Sequence, residues 1–184
     1  MTTAFKRFAF AIAALALAFA APALAADPEN TLVLELPAGK VLIELRPDLA
    51  PNHAARIKEL ARKGFYDGTP FHRVIDRFMA QGGDPTGTGT GGSGTKLRAE
   101  FSGEPFVRGI VGMARSASPD SADSQFFIML GSAPSLDGRY TVIGQVVEGM
   151  DVVDHIKKGD PSDNGAVSKP DKLIRMQVLA DVKK

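Results

Sequence analysis

Apolar and polar residues alternate in the segment that follows residue 30. Thr31 to Leu36 and Lys40 to Leu45 place an apolar residue at every second position, on either side of Pro37-Ala38-Gly39. This period of two around a turn is typical of a β-hairpin. The period then changes, because Pro51 to Lys63 repeats its apolar residues every three to four positions. With proline in its first turn and Gly64 after its end, this segment predicts an α-helix.

Short apolar runs separated by turn-forming residues make up most of the remaining chain. About seven or eight short strands, two helices and no repeating βαβ unit favour a mainly β fold, an antiparallel sheet closed into a barrel that the helices cover. The chain shows no internal repeat and no linker, which indicates one domain. The further predicted elements are a strand, turn and strand within Phe71–Asp84, strands at Gly109–Ala114, Gln125–Leu130, Tyr140–Val147 and Leu173–Val182, and a short helix from Gly149.

The first 25 residues have the layout of a secretory signal peptide. Lys6 and Arg7 precede an uncharged apolar run from Phe8 to Ala20, and Ala23-Leu24-Ala25 offers small residues for cleavage. The apolar run is shorter than the roughly 20 residues that a membrane-spanning helix needs. We therefore expect residues 1–25 to be removed and residues 26–184 to form the domain. The expected location is the periplasm, with secretion as the second choice and no stable membrane insertion after cleavage.

Charge and cysteine content narrow the classes of partner. The chain has 22 Lys and Arg residues against 21 Asp and Glu, without a basic cluster. This balance argues against nucleic acid or an anionic membrane as the main partner. No cysteine is present, so we expect the hydrophobic core to stabilise the protein without disulfides, although export usually leads to an oxidising compartment.

Several motifs that could carry chemistry are weak. Gly87 to Gly92 satisfies the spacing G-x-G-x-x-G, but Ser93, Gly94 and Thr95 follow it and do not begin a helix, so a flexible loop is favoured over a nucleotide site. The three histidines (His53, His72, His155) are too far apart in sequence to suggest a metal site. No G-x-S-x-G motif surrounds a serine, which argues against a covalent hydrolase. We expect neither metal nor cofactor.

The segment FHRVIDRFMAQGGD carries two polar residues where an apolar pattern would continue. Arg73 is two residues after Phe71, and Gln81 is two residues after Met79. On a strand, each polar side chain would therefore point to the same face as that apolar residue. Phe126 and Phe127 are adjacent, so on a strand one side chain can fill the barrel while the other lies outside. An outward aromatic near a guanidinium and an amide indicates a small pocket with an apolar floor and a polar rim. The alternative is that Arg73 forms a surface ion pair and a loop covers Phe127.

Five motifs follow one another along the chain: FHRVI with RFMAQGGD, GTGG at Gly89–Gly92, GMA at Gly112–Ala114, SQFFI at Ser124–Ile128, and LDGRYTVIGQV at Leu136–Val146. Together they resemble the motifs of cyclophilins, which are peptidyl-prolyl cis-trans isomerases. The resemblance extends from Thr31 to Ala180. It implies an eight-stranded antiparallel closed barrel capped by two α-helices, a monomer, an enzyme without a cofactor, and proline-containing polypeptides as partners.

The same resemblance implies individual site residues. Arg73 corresponds to the catalytic arginine, and Gln81 to a glutamine that hydrogen-bonds the substrate backbone. Strict alternation cannot place neighbouring residues 78 and 79 on one surface, so the chain is expected to bend after Asp76-Arg77. The implied proline-pocket walls are Phe78, Met79, Phe127 and Leu136, and the other implied groove residues are Ala114, Arg115, Gln125 and Tyr140.

Three positions depart from the common pattern of the family. Ser135 stands where tight cyclosporin binders usually have tryptophan, so we expect weak cyclosporin binding. Arg115 replaces a common asparagine, and Tyr140 a common histidine, which predicts a changed preference for residues beside the proline. Two functions are compatible with these residues: a folding isomerase for exported proteins, or a chaperone or scaffold module that binds proline segments with little turnover. Retention of Arg73 favours the first.

Overall fold

The structure, a computed structural model, describes residues 27–182, and the predicted signal peptide lies outside these residues. Within them no helix is long and apolar enough to cross a membrane. The two helices are α1 (Pro51–Arg62) and α2 (Met150–Asp154). The eight strands are β1 (Thr31–Leu36), β2 (Gly39–Leu45), β3 (Arg73–Ile75), β4 (Met79–Gly82), β5 (Ile110–Met113), β6 (Phe126–Met129), β7 (Val142–Glu148) and β8 (Arg175–Val178).

All eight strands pair antiparallel in a single curled sheet. Their order across the sheet is β3-β4-β6-β5-β7-β2-β1-β8, which confirms the predicted mainly β fold with two helices. The predicted barrel is closed less regularly than expected, because the two edge strands, β3 and β8, are not paired with each other. One isolated bridge, between Pro70 and Lys172, joins the segments that precede these two strands. Three backbone hydrogen bonds also join residues 68–71 to residues 171–173, so short irregular pairing closes the barrel at this seam.

The predicted elements agree well with the observed ones, with one clear exception. The hairpin of β1 and β2 has the register Leu32↔Ile43 and Leu34↔Val41, and Gly64 follows α1 with a left-handed φ of 65°. The last strand, predicted from Leu173 to Val182, spans only β8 and is followed by a 3-10 turn. This turn, Leu179–Asp181, places Asp181 where its carboxylate accepts a hydrogen bond from Arg62 of α1 at 2.8 Å.

Two separate hydrophobic clusters form on the sheet. The larger lies on the face that the helices cover and contains Ile57 of α1, Val153 of α2 and Phe126. The smaller contains Met79, Phe106 and Phe127. Phe126 and Phe127 thus belong to different clusters, as their alternation on β6 predicts. The second cluster is the floor of the site described below.

Glu100 caps helix α1 from a distant part of the chain. The residue before α1, Ala50, has no side chain that can cap it. The Glu100 carboxylate accepts hydrogen bonds from the backbone amides of Asn52 at 3.1 Å and His53 at 3.0 Å, and lies 2.6 Å from Nδ1 of the fully buried His53. A carboxylate at this end of a helix satisfies free amides and complements the helix dipole.

We expect Glu100→Gln to lower the free energy of unfolding at pH 7 by roughly 1–3 kcal/mol, the range of a cap bonded through a charged group. Burial alone raises the pKa of Glu100, but hydrogen bonds from His53 and Asn52 outweigh it and hold this pKa below its usual value. The stabilisation is therefore present above the unfolded-state pKa of about 4.3 and is lost as the pH falls through the lower folded-state pKa. Urea unfolding at pH 7 and pH 3 measures both effects.

The control for this experiment is Glu148→Gln, which removes an exposed carboxylate from β7. Equal unfolding free energies for the two variants at pH 7 would show that Glu100 does not cap α1.

Candidate active site

Four neighbouring strands bring the polar residues of the site onto one row. Arg73 of β3 is the register partner of Gln81 on β4, and Gln81 is the partner of Phe127 on β6. Phe127 is in turn opposite Gly112 on β5. Residues that are directly opposite in a sheet point to the same face. The guanidinium, the amide and the aromatic ring therefore lie side by side on the outer face of the sheet.

A sharp bend lets two consecutive residues face the same cavity. Arg77 has φ of 56°, in the left-handed region that non-glycine residues seldom occupy. Directly after it, the Phe78 carbonyl accepts a hydrogen bond from the Leu130 amide at 2.8 Å. Phe78 and Met79 both line the cavity, and the predicted bend after Asp76-Arg77 is confirmed.

The Arg73 guanidinium is held by neutral groups. Its Nε and Nη2 atoms donate to the backbone carbonyl and the side-chain Oδ1 of Asn164, both at 3.0 Å, and Nη1 donates to Oε1 of Gln81 at 3.2 Å. Within residues 27–182 no carboxylate lies within ion-pair distance of it, so the alternative of a surface ion pair is wrong. The charge is oriented but not neutralised.

Gln81 continues a chain of hydrogen bonds away from Arg73. Its Nε2 donates to Oε1 of Gln125 at 2.9 Å, and Nε2 of Gln125 donates to the carbonyls of Gly89 and Gly91 at 3.0 and 2.9 Å. The amides of these two glycines donate to the carboxylate of Asp84. The glycine-rich segment is therefore a loop in which the amides of Gly89 and Gly91 are already bonded, and no helix follows it. A G-x-G-x-x-G dinucleotide site requires such a helix, so the structure agrees with the predicted loop.

An aromatic cluster forms the apolar wall. The rings of Phe106 and Phe127 stack with centroids 5.7 Å apart, and Tyr140 meets Phe127 edge-on at 5.9 Å. Gly112 lies beneath this pair, and a Cβ at that position would be 2.5 Å from Phe127 and 2.7 Å from Phe106. Aromatic pairs of this geometry stabilise each other beyond the area that they bury. The wall is consequently rigid.

These groups enclose a cavity of about 100 Å³. It is smaller than the ~300–1,000 Å³ of drug-sized ligand sites, and it suits one compact side chain. Nine of the ten residues implied by the resemblance line it, while Gln125 lines an adjoining cavity of about 310 Å³. The nine are Arg73, Phe78, Met79, Gln81, Ala114, Arg115, Phe127, Leu136 and Tyr140.

The electrostatics of this cavity are those of a fixed cation beside an apolar surface. Burial lowers the pKa of Arg73, and Tyr140 partly opposes that effect. Because an arginine side chain is not deprotonated in proteins, the group remains charged at any working pH. Within the described residues no group of three or more His, Cys, Asp or Glu side chains could hold a metal ion.

Three further residues support the site and were given no role by the sequence patterns. Asn164 fixes Arg73 from the polar loop after α2, and Phe106 and Gly112 support Phe127. Asn164-Gly165 is a turn signal in the sequence, and Asn164 does adopt a left-handed φ of 48°. That signal predicts a turn, but it does not indicate which side chain the turn contacts.

The comparisons with known proteins agree on one family. The family model for cyclophilin type peptidyl-prolyl cis-trans isomerase/CLD matches residues 31–178. A probable peptidyl-prolyl cis-trans isomerase of Brucella suis biovar 1 (strain 1330) is 56% identical, with 95% of each chain covered. Peptidyl-prolyl cis-trans isomerase B of Bacillus subtilis (strain 168) is 44% identical over 66% of this chain and 85% of the relative.

Solved structures give the same result. Cyclophilin AquaCyp293 from Hirschia baltica superposes with a TM-score of 0.76 at 30% identity, covering 85% of this chain and 76% of that chain. A Cryptosporidium parvum cyclophilin type peptidyl-prolyl cis-trans isomerase, in the presence of the dipeptide Ala-Pro, superposes with a TM-score of 0.73 at 29% identity. The match covers 80% of this chain and 98% of that chain.

Proposed function

Because the chain belongs to the cyclophilin-type peptidyl-prolyl cis-trans isomerase family and is an enzyme of that class, we propose that it accelerates rotation about X-Pro bonds while exported proteins fold. In this proposal Arg73 is the catalytic residue. The observation that carries it is the Arg73 guanidinium, held by Asn164 and Gln81 without a carboxylate at the edge of an apolar cavity.

The reaction needs a modest lowering of a rotational barrier. Twisting a peptide bond costs ~18–20 kcal/mol because resonance between carbonyl and nitrogen is lost, and uncatalysed X-Pro exchange takes roughly 10–100 s. An acceleration of about 10⁵-fold corresponds to lowering the barrier by ~7 kcal/mol. No covalent bond breaks, so positioned hydrogen bonds and a shaped cavity suffice.

Arg73 can bind the twisted state more strongly than the planar one. In the planar amide the prolyl nitrogen shares its lone pair with the carbonyl, whereas at the twisted transition state the lone pair is localised and accepts a hydrogen bond. A donor that gains a partner only at the transition state lowers the barrier directly. Arginine suits this role because its charge is permanent and its fork offers several donors.

The other lining residues hold the two sides of the bond. Met79, Phe127 and Leu136 would grip the proline ring in the cavity while the preceding carbonyl swings. Gln81 is kept in place by Arg73 and Gln125 and would hydrogen-bond the substrate backbone. Fixing both sides concentrates the rotation in one bond.

An NMR measurement of cis-trans exchange in a short Ala-Pro peptide, with the purified chain added, tests this proposal. It distinguishes an isomerase from a binding module with little turnover. We expect cis-trans exchange well above the uncatalysed rate at micromolar enzyme. A Cryptosporidium parvum relative was solved in the presence of Ala-Pro, which supports this dipeptide as the probe. Binding of the peptide with exchange at the background rate would instead favour the module.

We also propose export to the periplasm, on the signal-peptide layout of residues 1–25. Fractionation of cells that produce the full chain, with N-terminal sequencing, tests this: a mature N-terminus at Ala26 in the periplasmic fraction is expected, and an intact chain in the cytoplasm would contradict it.

Weak cyclosporin binding is proposed because Ser135 is a small, exposed residue where tight binders have an aromatic ring, and titration with cyclosporin measures it.

A further inference from the structure

The cavity that receives the proline contains two positive charges and no negative one. Of its nine lining residues, Arg73 and Arg115 are charged and none is acidic. Neither arginine has a carboxylate within ion-pair distance among residues 27–182. Two uncompensated guanidinium groups beside an apolar surface attract anionic groups and repel cationic ones.

Arg115 is held rigidly where this charge can act on a substrate. Its Nε and Nη2 donate to the carbonyl of Arg139 at 3.1 and 2.9 Å, and Nη1 donates to the carbonyls of Ser116 and Ala117 at 2.9 and 3.2 Å. The guanidinium carbon lies 4.5 Å from the ring centroid of Tyr140. These contacts orient the cation, but they do not cancel its charge.

The adjoining cavity does not supply the missing negative charge. Asp123 lines it, but its carboxylate already accepts from the Ser93 amide at 2.7 Å and the Gly94 amide at 3.0 Å, and lies 3.6 Å from Nζ of Lys96. Lys96 therefore offsets Asp123 locally. Arg115 lines both cavities and is left as the unbalanced charge between them.

We propose that Arg115 selects substrates with an acidic side chain beside the proline. This inference rests on the proposed function, because it names the substrate class of the same site. The adjoining cavity opens from one side of the proline cavity, at Gln81, Ala114 and Arg115. Because the adjoining cavity extends from this one side, we expect the preference to be confined to substrate residues on that side of the proline.

Two peptide series test the proposal in the full mature chain. In one series Glu, Gln or Lys precedes the proline of an otherwise uncharged peptide, and in the other the same residues follow it. We expect kcat/KM for Glu to exceed that for Lys by about twofold to fivefold in one series only, with Gln between them, the range expected for partly exposed ion pairs. The ratio should shrink as salt is raised, because screening weakens such pairs.

Variants assign the preference to Arg115. Arg115→Gln should bring the Glu to Lys ratio close to one, whereas Arg115→Lys, which keeps the charge, should retain most of it. Arg175→Gln removes an equal charge from an exposed position on β8 that lines neither cavity and should leave the ratio unchanged. The ratio is the informative quantity, because a purely structural role of Arg115 would lower the rates for all peptides alike.

The outcomes separate this inference from the proposed function. If no peptide is exchanged faster than the uncatalysed rate, the proposed function fails and the inference fails with it. If the Gln peptides are accelerated but Glu and Lys peptides are equal in both series, the inference alone is overturned. A preference that is the same on both sides of the proline, or that persists in Arg115→Gln, also overturns it, since the overall charge of the protein would then be the cause.

Discussion

Replacing Arg73 with alanine is expected to lower kcat/KM for an Ala-Pro peptide by about 10²- to 10³-fold, the usual cost of losing one transition-state donor. The reason is that three hydrogen bonds to Asn164 and Gln81 orient this cation. In the proposed mechanism it gains a further partner, the prolyl nitrogen, only at the twisted transition state. Peptide binding should change far less, because the apolar walls of the cavity remain in place.

The fold of this variant should persist. Arg73 is half-buried and its partners Asn164 and Gln81 are partly exposed, so water can replace the lost donor. NMR exchange at several peptide concentrations separates kcat from KM, and Arg175→Ala serves as the matched control for removal of an arginine. An Arg73→Ala protein that is folded and exchanges Ala-Pro at the wild-type rate would remove Arg73 from the mechanism.

Gly112→Ala is expected to lower the free energy of unfolding by roughly 1–3 kcal/mol, the cost of overpacking, and to reduce activity at least about tenfold. The added methyl group would be 2.5 Å from the Phe127 ring and 2.7 Å from the Phe106 ring, and both rings are almost fully buried. Since neither ring has free space to move into, the wall of the proline cavity must shift.

Urea unfolding and NMR exchange measure the two effects of Gly112→Ala separately. Gly103→Ala is the matched control, since a Cβ at position 103 meets nothing within 4 Å. The expectation for the control is wild-type activity and stability. Should Gly112→Ala match it in both measurements, the aromatic wall would have to be more yielding than its packing indicates.

Most of the secondary structure was predictable because it depends on local periodicity. The alternation in residues 31–45 directly specifies the β1 and β2 hairpin, and a one-residue slip would expose its apolar face. Proline at the start of α1 and Gly64 after its end mark that helix equally well. The last strand was overestimated, since the apolar residues after Val178 still fit a strand pattern. In the structure the chain instead enters a 3-10 turn at Leu179–Asp181.

The chemistry of the site was predictable in its residue types and less so in its supports. Arg73 and Gln81 were noticeable because they interrupt an apolar pattern, and the family resemblance supplied expected roles for them. Asn164 could not be found in this way. It is 91 residues from Arg73 in sequence, and a turn-forming asparagine is explained locally without any distant contact.

The amino-acid sequence by itself therefore determined the strands, the helices and which side chains alternate onto each face, because these depend on neighbours a few residues apart. It also contained the family's motifs and the bend needed after Arg77. The tertiary structure alone decided which groups those faces contact. It places Arg73 and Gly112 on one row across four strands, and it brings Glu100 to the start of α1. It also leaves Arg73 and Arg115 without a carboxylate within ion-pair distance among residues 27–182. Each of these depends on strand register and on loops that join distant segments, and local periodicity carries no information about them.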